Sequence, residues 1–250
     1  MIPKVIHYCW FGRGQMPKLA LKCIESWKKY CPDYEIKEWN EDNFDVNAIP
    51  YTREAYEARK FAFVSDYARF WILYHHGGLY FDTDVEVIRP FDDIVAHGPF
   101  MGCEQDASSG AKLPSVAPGL GLGANPGLGL YKEILDLYGG LHFCQADDTL
   151  NLKTVVQYTT ELLCQHGLQN KAEIQEVAGV WVYPKEYFNP ADMSSFKICV
   201  TERTYSIHHY AGSWLPRSKR LKSKFLRLLG PRVVCIYLKF KNFKKTSNER

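Results

Sequence analysis

The sequence predicts an α/β protein, a sheet flanked by helices whose ligands gather at the carboxyl ends of the strands. Two observations carry this. Short apolar or alternating runs at 4–10, 34–39 and 79–81 are separated by segments with helical spacing at 17–30 and 53–75, the strand–helix alternation of an α/β sheet. The composition also fits: 250 residues, 46% hydrophobic and 24% charged, suffice for one large domain with a buried core and no staples. General disorder is excluded, and no apolar run approaches the roughly 18 residues that span a bilayer.

In order, residues 4–10 read as a buried strand ended by Phe11-Gly12. Leu19, Cys23, Ile24 and Trp27 then recur at helical spacing within 17–30. Residues 34–39 alternate like a strand, and 40–50 are rich in turn residues. Thr52 is placed to cap one long helix from 53 to about 75, which Gly77-Gly78 stops. A strand at 79–81 runs directly into Asp82-Thr83-Asp84 and on through 85–88, with Pro90 ending it. Six glycines and three prolines between 105 and 129 predict a mobile loop around a site. Helices are expected at 128–138 and 152–166, and strands at 180–183 and 199–200.

Eight cysteines occur without a CxxC pair or zinc spacing, and the amino terminus carries no secretory pattern; both point to reduced thiols and a cytoplasmic setting. Charge is uneven. Residues 217–250 hold twelve Lys and Arg against one acid, whereas 1–216 are acidic. A domain at 1–216 and a basic tail at 217–250 follow. In the tail, Leu221, Phe225, Leu228 and Leu229 form an apolar stripe among basic residues, a pattern suited to an anionic membrane surface and thus to the cytosolic face. The acidic body and the lack of nucleic-acid motifs argue against nucleic acid.

The chemistry centres on Asp82-Thr83-Asp84. Two carboxylates one residue apart stand at a strand end, and if the strand ends there a turn aims both at a divalent cation or a ribose. Hard oxygen ligands suit Mg²⁺ or Mn²⁺. Asp66 and Arg69, three apart, share a helix face in an otherwise apolar and aromatic segment, where charges need partners. His208-His209 precedes a small-residue turn and supplies an imidazole ligand. Asn125 and Asp147-Asp148 are candidates for lining the same site, or simply turn and cap residues. Gly119-Leu-Gly121-Leu-Gly123-Ala124 fits a dinucleotide fingerprint only loosely, with no clear strand before it.

IPKVIHYCWFG, SDYARFWILYHHGGLYFDTDV and IHHYAGSW together resemble the family 32 glycosyltransferases, over most of 1–216. The resemblance implies a GT-A (Rossmann-like) fold, a nucleotide-sugar donor such as a UDP-sugar, Mn²⁺ or Mg²⁺, and retention of configuration. The acceptor it implies is a glycan or lipid-linked sugar. By position it makes Asp84 a direct metal ligand, and Asp82 the ribose or water-bridged metal partner. Asp66 and Arg69 become the grip on donor hydroxyls, and Trp10 a stacking partner of the base. His209, three residues before Gly212, or else His208, ligates the metal, and Ser213 and Trp214 close over the diphosphate. Two alternatives compete: a haloacid-dehalogenase-like phosphatase with Asp82 as nucleophile, and a nucleotide-sugar-binding module without turnover.

Overall fold

The computed structural model describes residues 1–106, 113–147, 149–192 and 197–212. Its first half runs β1 (Val5–Cys9), α1 (Lys18–Tyr30), β2 (Glu35–Trp39), α2 (Pro50–Glu57), α3 (Phe61–His76), β3 (Gly78–Tyr80), β4 (Val85–Val87) and α4 (Asp92–His97). Then come β5 (Phe100–Gln105), β6 (Ser115–Val116), β7 (Leu122–Ala124), α5 (Gly129–Gly139), α6 (Val155–Gln165), β8 (Gln175–Val177) and β9 (Val180–Tyr183). Last are α7 (Lys185–Phe188), β10 (Ala191–Asp192), β11 (Lys197–Ile198) and β12 (Ser206–His208).

The main sheet has the order β2-β1-β3-β7-β5-β9-β8, with β6 beside β5. β1 is parallel to β2 and β3, and β5 to β9, while β7 runs antiparallel to β3 and β5, and β8 to β9. Strand alternation splits the core in two. Ile6 and Tyr8 join α1, α4 and α7 in one apolar cluster, and Cys9 joins α2, α3, α5 and α6 in the other. The expected α/β sandwich is therefore present.

Four local expectations are corrected. The long helix at 53–75 is two helices, because Arg59 takes a left-handed φ of 56° and breaks the chain between α2 and α3. The strand at 79–81 does not continue through the acids. The chain leaves the main sheet after Tyr80, turns with the Val85 N–H on the Asp82 carbonyl at 3.0 Å, and enters β4, which pairs with β12 instead. The glycine-rich segment is not all loop: β7 lies in the middle of the sheet. A Cβ on Gly123 would sit 2.2 Å from the Phe100 ring, so the missing side chain is what lets strand and ring pack. The late strand falls at Lys197–Ile198 rather than 199–200. The tail at 217–250 lies outside the described residues. Among the described residues the cysteines are free, and no helix is long and apolar enough to cross a membrane.

β1 and β2 are pinned by one buried histidine. His7 Nδ1 accepts from the Trp39 indole N–H at 3.0 Å, which leaves Nε2 as the donor to the Gly77 carbonyl at 3.1 Å. Burial, helped by the neighbouring His76 and Lys37 charges, outweighs that carbonyl and lowers the His7 pKa to about 4. A histidine kept neutral by the fold contributes stability above its unfolded pKa and loses it as pH falls from 6.5 toward 4, by roughly 3 kcal/mol in full. Asp66, whose pKa is raised, runs in the opposite direction, so the difference between proteins is the readout. We expect His7→Gln to be less stable than wild type at pH 7.5, with the gap in denaturation free energy shrinking by pH 5. An equal gap at both pH values would contradict this account of His7.

Candidate active site

The site lies where β3 ends. Asp82 and Asp84 bracket the turn that takes the chain from the main sheet into β4. That turn is held from below by α1: the Trp27 indole donates to the Val85 carbonyl at 2.8 Å, and Ser26 Oγ accepts from the Val87 N–H at 2.9 Å. β12 brings His208 alongside, its Nε2 3.0 Å from Asp84 Oδ1. Just past it Tyr210 adopts a left-handed φ of 48°, uncommon for a bulky residue, and the next residue, Ala211, donates its N–H to Asp84 Oδ2 at 2.7 Å.

Ligand atoms of Asp82, Asp84 and His208 lie within 4.8 Å of one another. Two carboxylates and one imidazole form a donor set suited to a divalent cation. Burial pushes the Asp84 carboxyl up, but the His208 charge and the hydrogen bonds from His208 and Ala211 prevail and bring it down to about 2. His208 is conversely raised, burial opposing while Asp84, Asp82 and Glu104 favour its charged form. Its Nδ1 is buried without a hydrogen-bond partner. His209 points elsewhere, to Glu86 at 2.8 Å, with Lys22 on the same carboxylate. The imidazole beside the acids is thus that of His208.

Asp82 also faces Arg69. The Arg69 Nη2 lies 2.9 Å from Asp66 Oδ1 and 3.3 Å from Asp82 Oδ1, and its Nε donates to the Ser65 carbonyl. The guanidinium is 3% exposed and lies 5.0 Å from the centre of the Tyr80 ring, whose hydroxyl donates to Asp82 Oδ1 at 3.3 Å. Burial, with a contribution from Asp82, raises the Asp66 pKa to about 7 against the pull of Arg69. Gly119 closes over this group: a Cβ there would meet Asp82 Oδ2 at 2.1 Å. Asp66, Arg69, Asp82 and His208 all line one cavity of about 280 Å³, together with Glu104, Tyr210 and the first residues of α6.

The other candidates lie elsewhere. Trp10 sits at the carboxyl end of β1, half-buried, its indole donating to the Gly14 carbonyl at 2.6 Å. Asn125 follows β7 just past the Ala124–Gly78 pair, at the opposite end of β3 from Asp82. Asp147 accepts from Thr149 in a turn. Ser213, Trp214 and Asp148 lie outside the described residues. Sequence reading passes over Glu104, although a single acid in the apolar run Phe100–Gln105 is a signal of its own.

Known proteins share this sequence pattern and this fold. Residues 17–101 match the family described as a glycosyltransferase sugar-binding region containing a DXD motif. The chain is 25% identical over 236 residues to an uncharacterized glycosyltransferase of Acanthamoeba polyphaga mimivirus, covering 90% of this chain and 88% of that one. It is 32% identical over 99 residues to inositol phosphoceramide mannosyltransferase 2 of Schizosaccharomyces pombe, covering 38% of this chain and 28% of that one. The solved PaToxG glycosyltransferase superposes with a TM-score of 0.50 at 20% identity, covering 66% of this chain and 69% of that one, a likeness of fold. Residues 17–101 thus match the DXD-containing sugar-binding region of glycosyltransferases, and the fold is that of GT-A glycosyltransferases.

Arg69 has a structural role, since without it the buried Asp66 and the half-buried Asp82 lose their shared partner. Removing one member of a buried ion pair costs roughly 3–5 kcal/mol. We expect Arg69→Ala to lose stability on that scale at pH 8 in urea denaturation, and less at pH 6, where Asp66 is largely protonated. A loss under about 1 kcal/mol at pH 8 would contradict it.

Proposed function

We propose that the chain transfers a hexose-type sugar from a UDP-sugar to a glycan or lipid-linked acceptor, with retention of configuration. Asp82, Asp84 and His208 would hold Mn²⁺ or Mg²⁺. The observation that supports this best is that Asp82 and His208, two members of the Asp82–Asp84–His208 donor set, line the same cavity as the Asp66–Arg69 pair. When bound, the cation supplies neutralisation of charge on the leaving diphosphate. Asp84, ionised at neutral pH and oriented by the Ala211 N–H and His208, is the fixed anionic ligand. Asp66 and Arg69 offer an acceptor and a permanent donor to sugar hydroxyls. Retention rests on the family resemblance. The name of the fission-yeast relative gives mannosyl transfer to inositol phosphoceramide as that protein's reaction, which adds mannose and a lipid acceptor to the substrates worth testing here.

The test is calorimetry of UDP with and without MnCl₂, together with thermal melting. UDP should bind with Mn²⁺ and bind much more weakly with chelator. Asp84→Asn and His208→Ala should each lose at least ten-fold in Mn²⁺-dependent UDP affinity while melting near wild type. His209→Ala, with its ring at Glu86, should bind within about three-fold of wild type. If His209→Ala loses binding and His208→Ala keeps it, the ligand assignment is wrong. Release of nucleotide from UDP-glucose, UDP-galactose or GDP-mannose separates an enzyme from a binding module.

Residues 217–250 are proposed to dock the chain on an anionic membrane at the cytosolic face, by basic residues flanking the Leu221, Phe225, Leu228 and Leu229 stripe. The full chain should sediment with phosphatidylserine vesicles, and a chain ending at Pro216 should not. Equal sedimentation of both would contradict it.

A further inference from the structure

We infer that Glu104 contacts the reacting saccharide, its carboxylate accepting hydroxyl hydrogen bonds from a neutral sugar ring and excluding an anion at that point. The inference rests on the glycosyltransferase reading above and extends it to the class of ring the cavity takes.

The first support is backbone geometry. β5 and β6 pair Cys103 with Val116 and Gln105 with Ser115, so Glu104 is an extra residue on β5 with no partner across the ladder. Such a bulge re-aims a side chain, and bulges gather beside active sites. Here the bulged residue lines the cavity that Asp66, Arg69, Asp82 and His208 share. Asn189, itself fully buried, holds the bulge by donating to the Glu104 carbonyl at 3.0 Å and to the Tyr210 hydroxyl at 2.6 Å.

The second support is the distribution of partners around the cavity. Asp66 and Asp82 share Arg69, and Asp84 has His208 and the Ala211 N–H. Among the described residues, the Glu104 carboxylate makes no side-chain hydrogen bond or ion pair, and it stands outside the Asp82–Asp84–His208 ligand set. Burial raises its pKa, with only the His208 charge opposing. A half-buried carboxylate without a donor is costly, and it accepts but does not donate when ionised. A ligand rich in hydroxyls removes that cost. An anionic ligand group there would add to the three carboxylates of Asp66, Asp82 and Glu104, against which the cavity sets only Arg69 and His208. A neutral polyhydroxylated ring is therefore the complementary chemistry, whether it belongs to the donor sugar or to the acceptor.

The test compares wild type with Glu104→Gln and Glu104→Ala, with thermal melting as the check on folding. UDP and the best-bound of UDP-glucose, UDP-galactose and GDP-mannose are titrated with MnCl₂, and methyl glycosides serve as acceptor probes. If Glu104 meets the donor ring, nucleotide-sugar affinity falls at least ten-fold while UDP affinity stays within two-fold. If it meets the acceptor ring, nucleotide-sugar affinity and hydrolysis to water are kept, while KM for the methyl glycoside rises at least ten-fold. UDP affinity falling as far as nucleotide-sugar affinity would place Glu104 at the cation or diphosphate and overturn the inference. So would no change in any of these readouts. A wild-type chain that fails to bind UDP with Mn²⁺ strikes the donor reading itself, and shows before either variant is made.

Discussion

The buried guanidinium of Arg69 is the interaction on which the site depends. It is always charged, nearly inaccessible to water, and shared between Asp66 on its own helix and Asp82 at the end of the neighbouring strand. A three-residue helical spacing alone yields a weak surface pair. Here the same spacing joins α3 to β3, because the Arg59 break between α2 and α3 starts a new helix whose aromatic face packs into the core while Asp66 and Arg69 line the cavity. Gly119 then lies so close to Asp82 that any side chain there would displace it.

A second constraint is the departure of the chain from the sheet. Had β3 continued through Thr83, Asp82 and Asp84 would share one face of the main sheet, and β4 would not be free to pair with β12 and meet His208. Instead the backbone turns between the acids. Trp27 and Ser26 of α1 seize β4 immediately after, and β12 pairs with it to deliver His208. Three segments distant in sequence thus bring two carboxylates and an imidazole to one point.

Much of this is legible in the chain, for identifiable reasons. β1, α1 and β2 follow from apolar alternation and helical spacing, since each buries one consistent face. Asp66, Arg69, Asp82 and Asp84 are visible because charges in an aromatic helix and paired acids at a strand end demand partners. Strand β7 is not legible, because Gly121 just before it and Gly123 within it make room for the Phe81 and Phe100 rings, a tertiary fact. The choice between His208 and His209 hinges on strand register against β4, which no local pattern encodes. Glu104 escapes notice because its significance lies in a bulge defined by the pairing partner rather than by its neighbours in sequence.

The central claim is that the DXD turn and β12 build one cation site beside the Asp66–Arg69 pair. The most direct measurement is anomalous diffraction from a crystal grown with MnCl₂ and UDP. The account predicts a single strong peak within about 2.3 Å of an Asp84 carboxylate oxygen and of a His208 ring nitrogen, in the cavity that Arg69 lines. A peak at Glu86 and His209, or UDP bound with no peak near Asp84, would contradict it.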